Sequence, residues 1–98
     1  AKVLEAMNPS AILINIARGE VVDEAALISA LQTGQIAGAG LDVYEFEPAV
    51  PQTLRDMENV TLLPHLGTAT EEVRTDMGHM ALNNVAAFVA GRPLPNPV

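Results

Sequence analysis

The run Ala11-Ile-Leu-Ile14 is apolar at every position. A strand carrying such a run is expected to be covered on both faces, which is the situation of a parallel sheet. Parallel neighbours need a crossover of a dozen or more residues between them, and the sequence supplies one. Asp23 stands where an N-cap is needed, Ala26, Leu27, Ala30 and Leu31 line one helical face, and Gly34 closes the helix. The next segment, Ile36 to Val43, reads as a second strand rich in small residues, with Gly38 and Gly40 permitting close approach of a neighbouring backbone. Strand, helix, strand in this order is one right-handed βαβ unit. A third apolar run, Val60-Thr-Leu-Leu63, ends at Pro64. The fold class expected is therefore α/β, with three parallel strands and flanking helices.

The remaining segments fit around that frame. Residues Ala1 to Met7 place Val3, Leu4 and Met7 on one helical face, ended by Asn8-Pro9. The long connection after Val43 has no sustained period, contains prolines at 48 and 51, and is expected to hold a short helical turn within 52–58. Connections of this length are usually functional or mobile. Thr68 and Glu71 are spaced as a capping box for a last helix, with Glu72 near its positive end. Val73, Met77, Met80, Ala81, Asn84 and Phe88 recur at helical spacing as a core-packing stripe, and Gly91 and Pro93 stop the helix before an extended tail.

Composition narrows the function. Twelve acidic residues against five basic give a net charge of −7. Nucleic acid and anionic membrane both call for a basic face, so neither is expected as a partner. Cysteine is absent, which removes disulfides and thiolate metal sites, and His65 and His79 lack metal-ligand spacing. No apolar run reaches the ~20 residues of a membrane span. A cytoplasmic protein is the expectation.

Chemistry concentrates where the strands end. Arg18 follows the first strand, Asp42, Glu45 and Glu47 follow the second, and His65 follows the third. If all three strands are parallel, these loops share the sheet edge at which open α/β folds bind ligands. Arg18 offers a planar fork of donors matched to a carboxylate. His65 can give a proton to a carbonyl oxygen as negative charge develops on it, or take one in reverse. A carboxylate beside it favours the imidazolium; Glu45 and Glu47 are both placed to supply one, and spacing does not choose between them. Asp42, at the end of an apolar strand, is expected to be buried and hydrogen-bonded. The Gly38-Ala-Gly40 pair is no dinucleotide loop, because it lies within a strand and lacks a third glycine.

Three stretches in order, Asn15-Ile-Ala-Arg-Gly-Glu-Val-Val-Asp23, Ala37-Gly-Ala-Gly-Leu-Asp-Val-Tyr-Glu-Phe-Glu-Pro48 and Pro64-His-Leu-Gly-Thr-Ala-Thr70, resemble the signatures of the D-isomer-specific 2-hydroxyacid dehydrogenases. The form of the third is similar to the glyoxylate and hydroxypyruvate reductase branch. The resemblance implies a Rossmann-like sheet and hydride transfer between NAD or NADP and a small 2-keto acid, giving a D-2-hydroxy acid. It implies that Arg18 anchors the substrate, that His65 is the acid/base and that Glu47 is the histidine's partner. It further implies that Asp42 holds the nicotinamide carboxamide and that Ile16, Ala17, Leu66 and Gly67 line the nicotinamide side of the pocket. By the same resemblance the chain corresponds to the final third of a family member. Residues 1–68 would end the NAD(P)-binding domain, and 69–98 would form a helix and tail lying on a substrate domain. Homodimers are usual in the family, and a fragment of this extent is expected to be inactive alone. Nicotinamide-sensing co-repressors share the fold and are the alternative; formate oxidisers carry glutamine where this chain has Glu47.

Overall fold

The computed structural model describes residues 2–97 of the chain. In chain order the elements are α1 (Lys2–Glu5), β1 (Ile12–Asn15), a 3-10 turn (Gly19–Val21), α2 (Glu24–Gln32), β2 (Gly38–Leu41), α3 (Gln52–Arg55), β3 (Val60–Leu62) and α4 (Glu71–Val89). They fall into two units, residues 1–67 and 68–98.

In the first unit the sheet has the order β1-β2-β3 with both pairs parallel. Leu13, Ala39 and Val60 stand in register, as do Asn15, Leu41 and Leu62, so these two rows share one face of the pleat. That face packs on α2, whose start is capped by the Asp23 carboxylate accepting the Ala26 N–H at 2.9 Å. Its C-terminus closes at Gly34, in the left-handed region with φ 69°. Leu27, Ile36, Val43 and Leu54 are the largest fully buried side chains; burying one such residue is worth roughly 1.5–3 kcal/mol. Gly38 lets the Asn59 carbonyl pass where a Cβ would lie 2.6 Å from its oxygen, whereas Gly40 makes room for the Ile14 side chain.

The other face differs from expectation. β1 is covered on one side only. Ile12, Ile14 and Ile16 are 63–71% exposed, and Leu63 is 47% exposed. The apolar run arises because this face is apolar too, although among the described residues no element of the unit lies over it. Val3 is exposed rather than packed beside Leu4, because α1 is one turn long and directs a single residue, Leu4, into the core.

The second unit is α4 and its tail. Its cap is Thr70, whose hydroxyl accepts the Val73 N–H at 3.3 Å, and not Thr68. Glu71 is thereby the first helical residue and cannot sit at the third position that a capping box requires, although Glu71 and Glu72 do occupy the first turn. The stripe expected to be core is largely exposed, with Met77 and Met80 about half exposed and Phe88 76% exposed; Ala87 is the buried residue of this helix. Gly91 ends it at φ 63°, and the tail is tied back by two hydrogen bonds of 3.1 Å, the Asn84 side-chain NH₂ donating to Asn96 Oδ1 and the Asn96 backbone N–H donating to Asn84 Oδ1. Among the described residues, no helix is long and apolar enough to cross a membrane.

Candidate active site

Each strand delivers its polar residue to one rim through a different local device. After β1 the chain turns about Asn15, which is buried. Its side-chain oxygen accepts the Ala17 N–H at 3.1 Å and its side-chain NH₂ donates to the Arg18 carbonyl at 2.9 Å. This is an Asx-type turn, and it aims Arg18 outward. The guanidinium is solvent-exposed and donates back to the Ala17 carbonyl at 2.7 Å. Gly19 then runs hard against the loop after β2: a Cβ there would lie 1.9 Å from the Tyr44 carbonyl atoms. Glycine at 19 is what allows the two loops to touch.

After β2, Asp42 is 3% exposed. Its two carboxylate oxygens accept the backbone N–H groups of Leu66 and Gly67, both at 2.7 Å. The expected burial and bonding are met, and the partners lie in the loop after β3. Tyr44 is buried, and its hydroxyl lies 2.7 Å from the Leu63 carbonyl and 3.1 Å from that of Leu41. One hydroxyl proton serves chiefly the shorter of these contacts. Burial, with Asp42, Glu47 and Glu24 nearby, pushes the Tyr44 hydroxyl above its ordinary pKa.

After β3, Pro64 leads into His65, whose φ of 58° puts a non-glycine residue in the left-handed region. Such a conformation costs on the order of 1–3 kcal/mol and persists where the surroundings over-determine it. Here the two bonds from Asp42 to the next two residues supply that constraint. The His65 ring places Nδ1 2.9 Å from Glu47 Oε2. Glu47 Oε1 in turn accepts the Tyr44 N–H at 3.0 Å. Those two bonds, the histidine's first, hold the Glu47 carboxyl below the ordinary carboxylate pKa.

Glu45 goes elsewhere, its carboxylate accepting the Glu24 N–H at the start of α2. Of the two acids that spacing left open, the one beside His65 is Glu47. Arg18, Glu47 and His65 line one open cleft of about 290 Å³ with Gly19, Glu20, Tyr44, Glu45 and Phe46. Asp42 and Ile16 lie on a neighbouring apolar groove of about 340 Å³ against the open sheet face. Leu66 and Gly67 are in the Asp42-bonded turn, and Ala17 in the Asn15-bonded one.

Two sets of supporting residues escaped the sequence reading. Asn15 carried a usable signal, an asparagine ending a strand two residues before an N–H in need of a partner. The Glu24–Glu45 and Tyr44–Leu63 contacts carried none, since they join residues 21 and 19 positions apart.

The family model for the D-isomer specific 2-hydroxyacid dehydrogenase NAD binding domain matches residues 1–67. The chain is 50% identical over 97 residues to a hydroxyphenylpyruvate reductase of Plectranthus scutellarioides, covering 99% of this chain and 31% of that protein. It is 52% identical over 97 residues to a glyoxylate reductase of Thermococcus litoralis, covering 99% of this chain and 29% of that one. Among solved structures, an NADPH-dependent glyoxylate/hydroxypyruvate reductase from Sinorhizobium meliloti, in complex with NADP and malonate, superposes with a TM-score of 0.90. It is 48% identical, covering 98% of this chain and 30% of that one. The chain thus spans a little under a third of the length of the proteins it matches. A match over more than half of its residues, on a three-stranded parallel sheet of the same architecture, means that the chain belongs to the D-isomer-specific 2-hydroxyacid dehydrogenase family.

Proposed function

We propose that these residues carry the proton-transfer and carboxylate-anchoring groups of an NAD(P)H-dependent reductase. Its substrate is a small 2-keto acid, glyoxylate or hydroxypyruvate, and its product a D-2-hydroxy acid. The observation behind the reading is the 2.9 Å His65–Glu47 pair opening on the same cleft as Arg18. With Nδ1–H donating to Glu47, Nε2 is the ring nitrogen left to address a substrate. A protonated Nε2 gives its proton to the keto oxygen as that atom gains charge. Among the described residues the Arg18 guanidinium has only a backbone carbonyl as partner, and a substrate carboxylate gripped by two parallel charge-assisted bonds is the stronger one.

The groove beside Asp42 fits a flat ring carrying one amide. Its walls are Ile12, Ile14, Ile16, Gly40 and Leu63, and Asp42 is its single charged group. Each Asp42 oxygen accepts one N–H and keeps a lone pair for a carboxamide N–H. Asp42 would hold that amide, with Ile16, Ala17, Leu66 and Gly67 beside the ring. The dihydronicotinamide ring of NAD(P)H, when bound, would supply the hydride that the keto carbon accepts and leave as NAD(P)+. On this reading residues 1–68 close a cofactor domain and 69–98 lie on a substrate domain of a longer, cytoplasmic, homodimeric polypeptide.

In the complete polypeptide carrying this chain, His65→Ala should lower kcat by about 10²- to 10⁴-fold. Arg18→Ala should act mainly by raising KM for the keto acid. Steady-state kinetics with glyoxylate and NADPH or NADH decide between outcomes. A His65→Ala enzyme as active as its parent at every pH would overturn the acid/base assignment.

A further inference from the structure

Glu24 and Glu45 bond each other's backbone. The Glu24 N–H donates to Glu45 Oε2 at 3.1 Å, and the Glu45 N–H donates to Glu24 Oε2 at 3.4 Å. Glu24 is the first residue of α2 and is 7% exposed. No cation lies within ion-pair distance of either carboxylate among the described residues, where the single close ion pair is His65–Glu47. The Glu45 carboxylate meets the N-terminal end of α2, where unsatisfied N–H groups and the helix dipole favour negative charge.

The position of this clasp in the chain is what gives it a use. Residue 44 is tied to the end of β3 through its hydroxyl, residue 45 to α2 through the clasp, and residue 47 to His65. The Tyr44 N–H also donates to Glu47. Four residues of a loop thus have three separate anchors, and the middle one fixes it to α2. Gly19, packed on the backbone of Tyr44 and Glu45, brings the Arg18 turn against the same point.

We propose that Glu45, through its clasp with Glu24, is a positioning residue that keeps the Glu47 carboxylate on His65 and the Arg18 turn against the cleft. The inference rests on the reading of His65 as the acid/base. Among the described residues, Glu45 makes no hydrogen bond or ion pair with His65 or Arg18. It acts by holding the loop in one place, and a displacement near 1 Å at a reacting group can cost about 100-fold in rate.

The test uses the complete polypeptide with Glu45→Ala, Glu45→Gln and the parent. The readouts are steady-state kinetics and the NMR titration of the Glu47 side-chain carboxyl carbon. Glu47 is faced by His65 and Asp42, and Arg18, Glu20 and Glu45 line the same cleft, so its titration reports whether His65 is still beside it. Glu45→Ala should lower kcat by about 10- to 100-fold and move the Glu47 midpoint up toward the ordinary carboxylate value. Glu45→Gln, which keeps an oxygen to accept the Glu24 N–H, should restore most of both. A Glu47 midpoint unmoved in Glu45→Ala overturns the inference, whatever happens to turnover. So does a Glu45→Gln enzyme as impaired as Glu45→Ala. Should Glu45→Ala fail to fold, parental kcat in Glu24→Ala would overturn it, since that variant removes the other half of the clasp. Failure of the underlying reading shows differently: the parent itself would not reduce a keto acid, or His65→Ala would.

Discussion

At the scale of single residues, the rim is held by side chains such as Asn15, Asp42 and Glu47 that each satisfy two groups at once. Glu47 is the clearest case. Its lowered pKa means that the folded protein binds fewer protons at this position than the unfolded chain does. The stabilisation it contributes is therefore complete above the unfolded carboxyl value, about 4.3, and is lost as pH falls through the lower, folded value. In Glu47→Gln that part of the acid sensitivity should vanish. Chemical-denaturant midpoints measured from about pH 5 to 3 should fall less steeply in the variant than in the parent; parallel curves would show the Glu47–His65 bond to be energetically idle. Asp42 has a different task. It takes the N–H groups of the two residues that follow the left-handed histidine, so the turn at His65 and the burial of Asp42 are one arrangement seen from two ends.

At the scale of elements, much was legible. Asp23 before an apolar 3.6-residue period located the start of α2, and the three apolar runs located the strands. Their polar followers were then confined to one edge by topology alone. What the sequence left unsaid was of two kinds. One was local but degenerate: Thr68 and Thr70 are both plausible caps, and only backbone geometry selects Thr70. Thr70→Ala should cost about 1 kcal/mol at that helix end and speed amide exchange at Val73, whereas Thr68→Ala should change neither; equal effects from the two would refute the Thr70 cap. The other kind was non-local. Glu45 chooses Glu24 over His65 because the loop doubles back onto α2, and no spacing rule carries that information. Periodicity also reports that a face is apolar without reporting what covers it, as Ile12 and Ile14 on β1 and Met77 and Phe88 on α4 demonstrate.

At the scale of the molecule, the sheet has a core side and a bare side. Ile12, Ile14, Ile16 and Leu63 form an apolar face, and within the sheet of the described residues β1 and β3 each pair with β2 alone, leaving edges of the kind that invite association. The 98 residues alone should therefore be prone to self-association and should show no keto-acid reduction. Following nicotinamide absorbance with glyoxylate and NADH or NADPH checks the second point, and clear oxidation by the isolated chain would contradict it. The same bare side has one more implication, since Asp42 and Ile16 open onto it as well as onto the rim. A polypeptide laid across those isoleucines would become the opposite wall of the groove beside Asp42. The shape of that groove is then set partly by the neighbour, and grafting a foreign one should alter it with every one of these residues untouched.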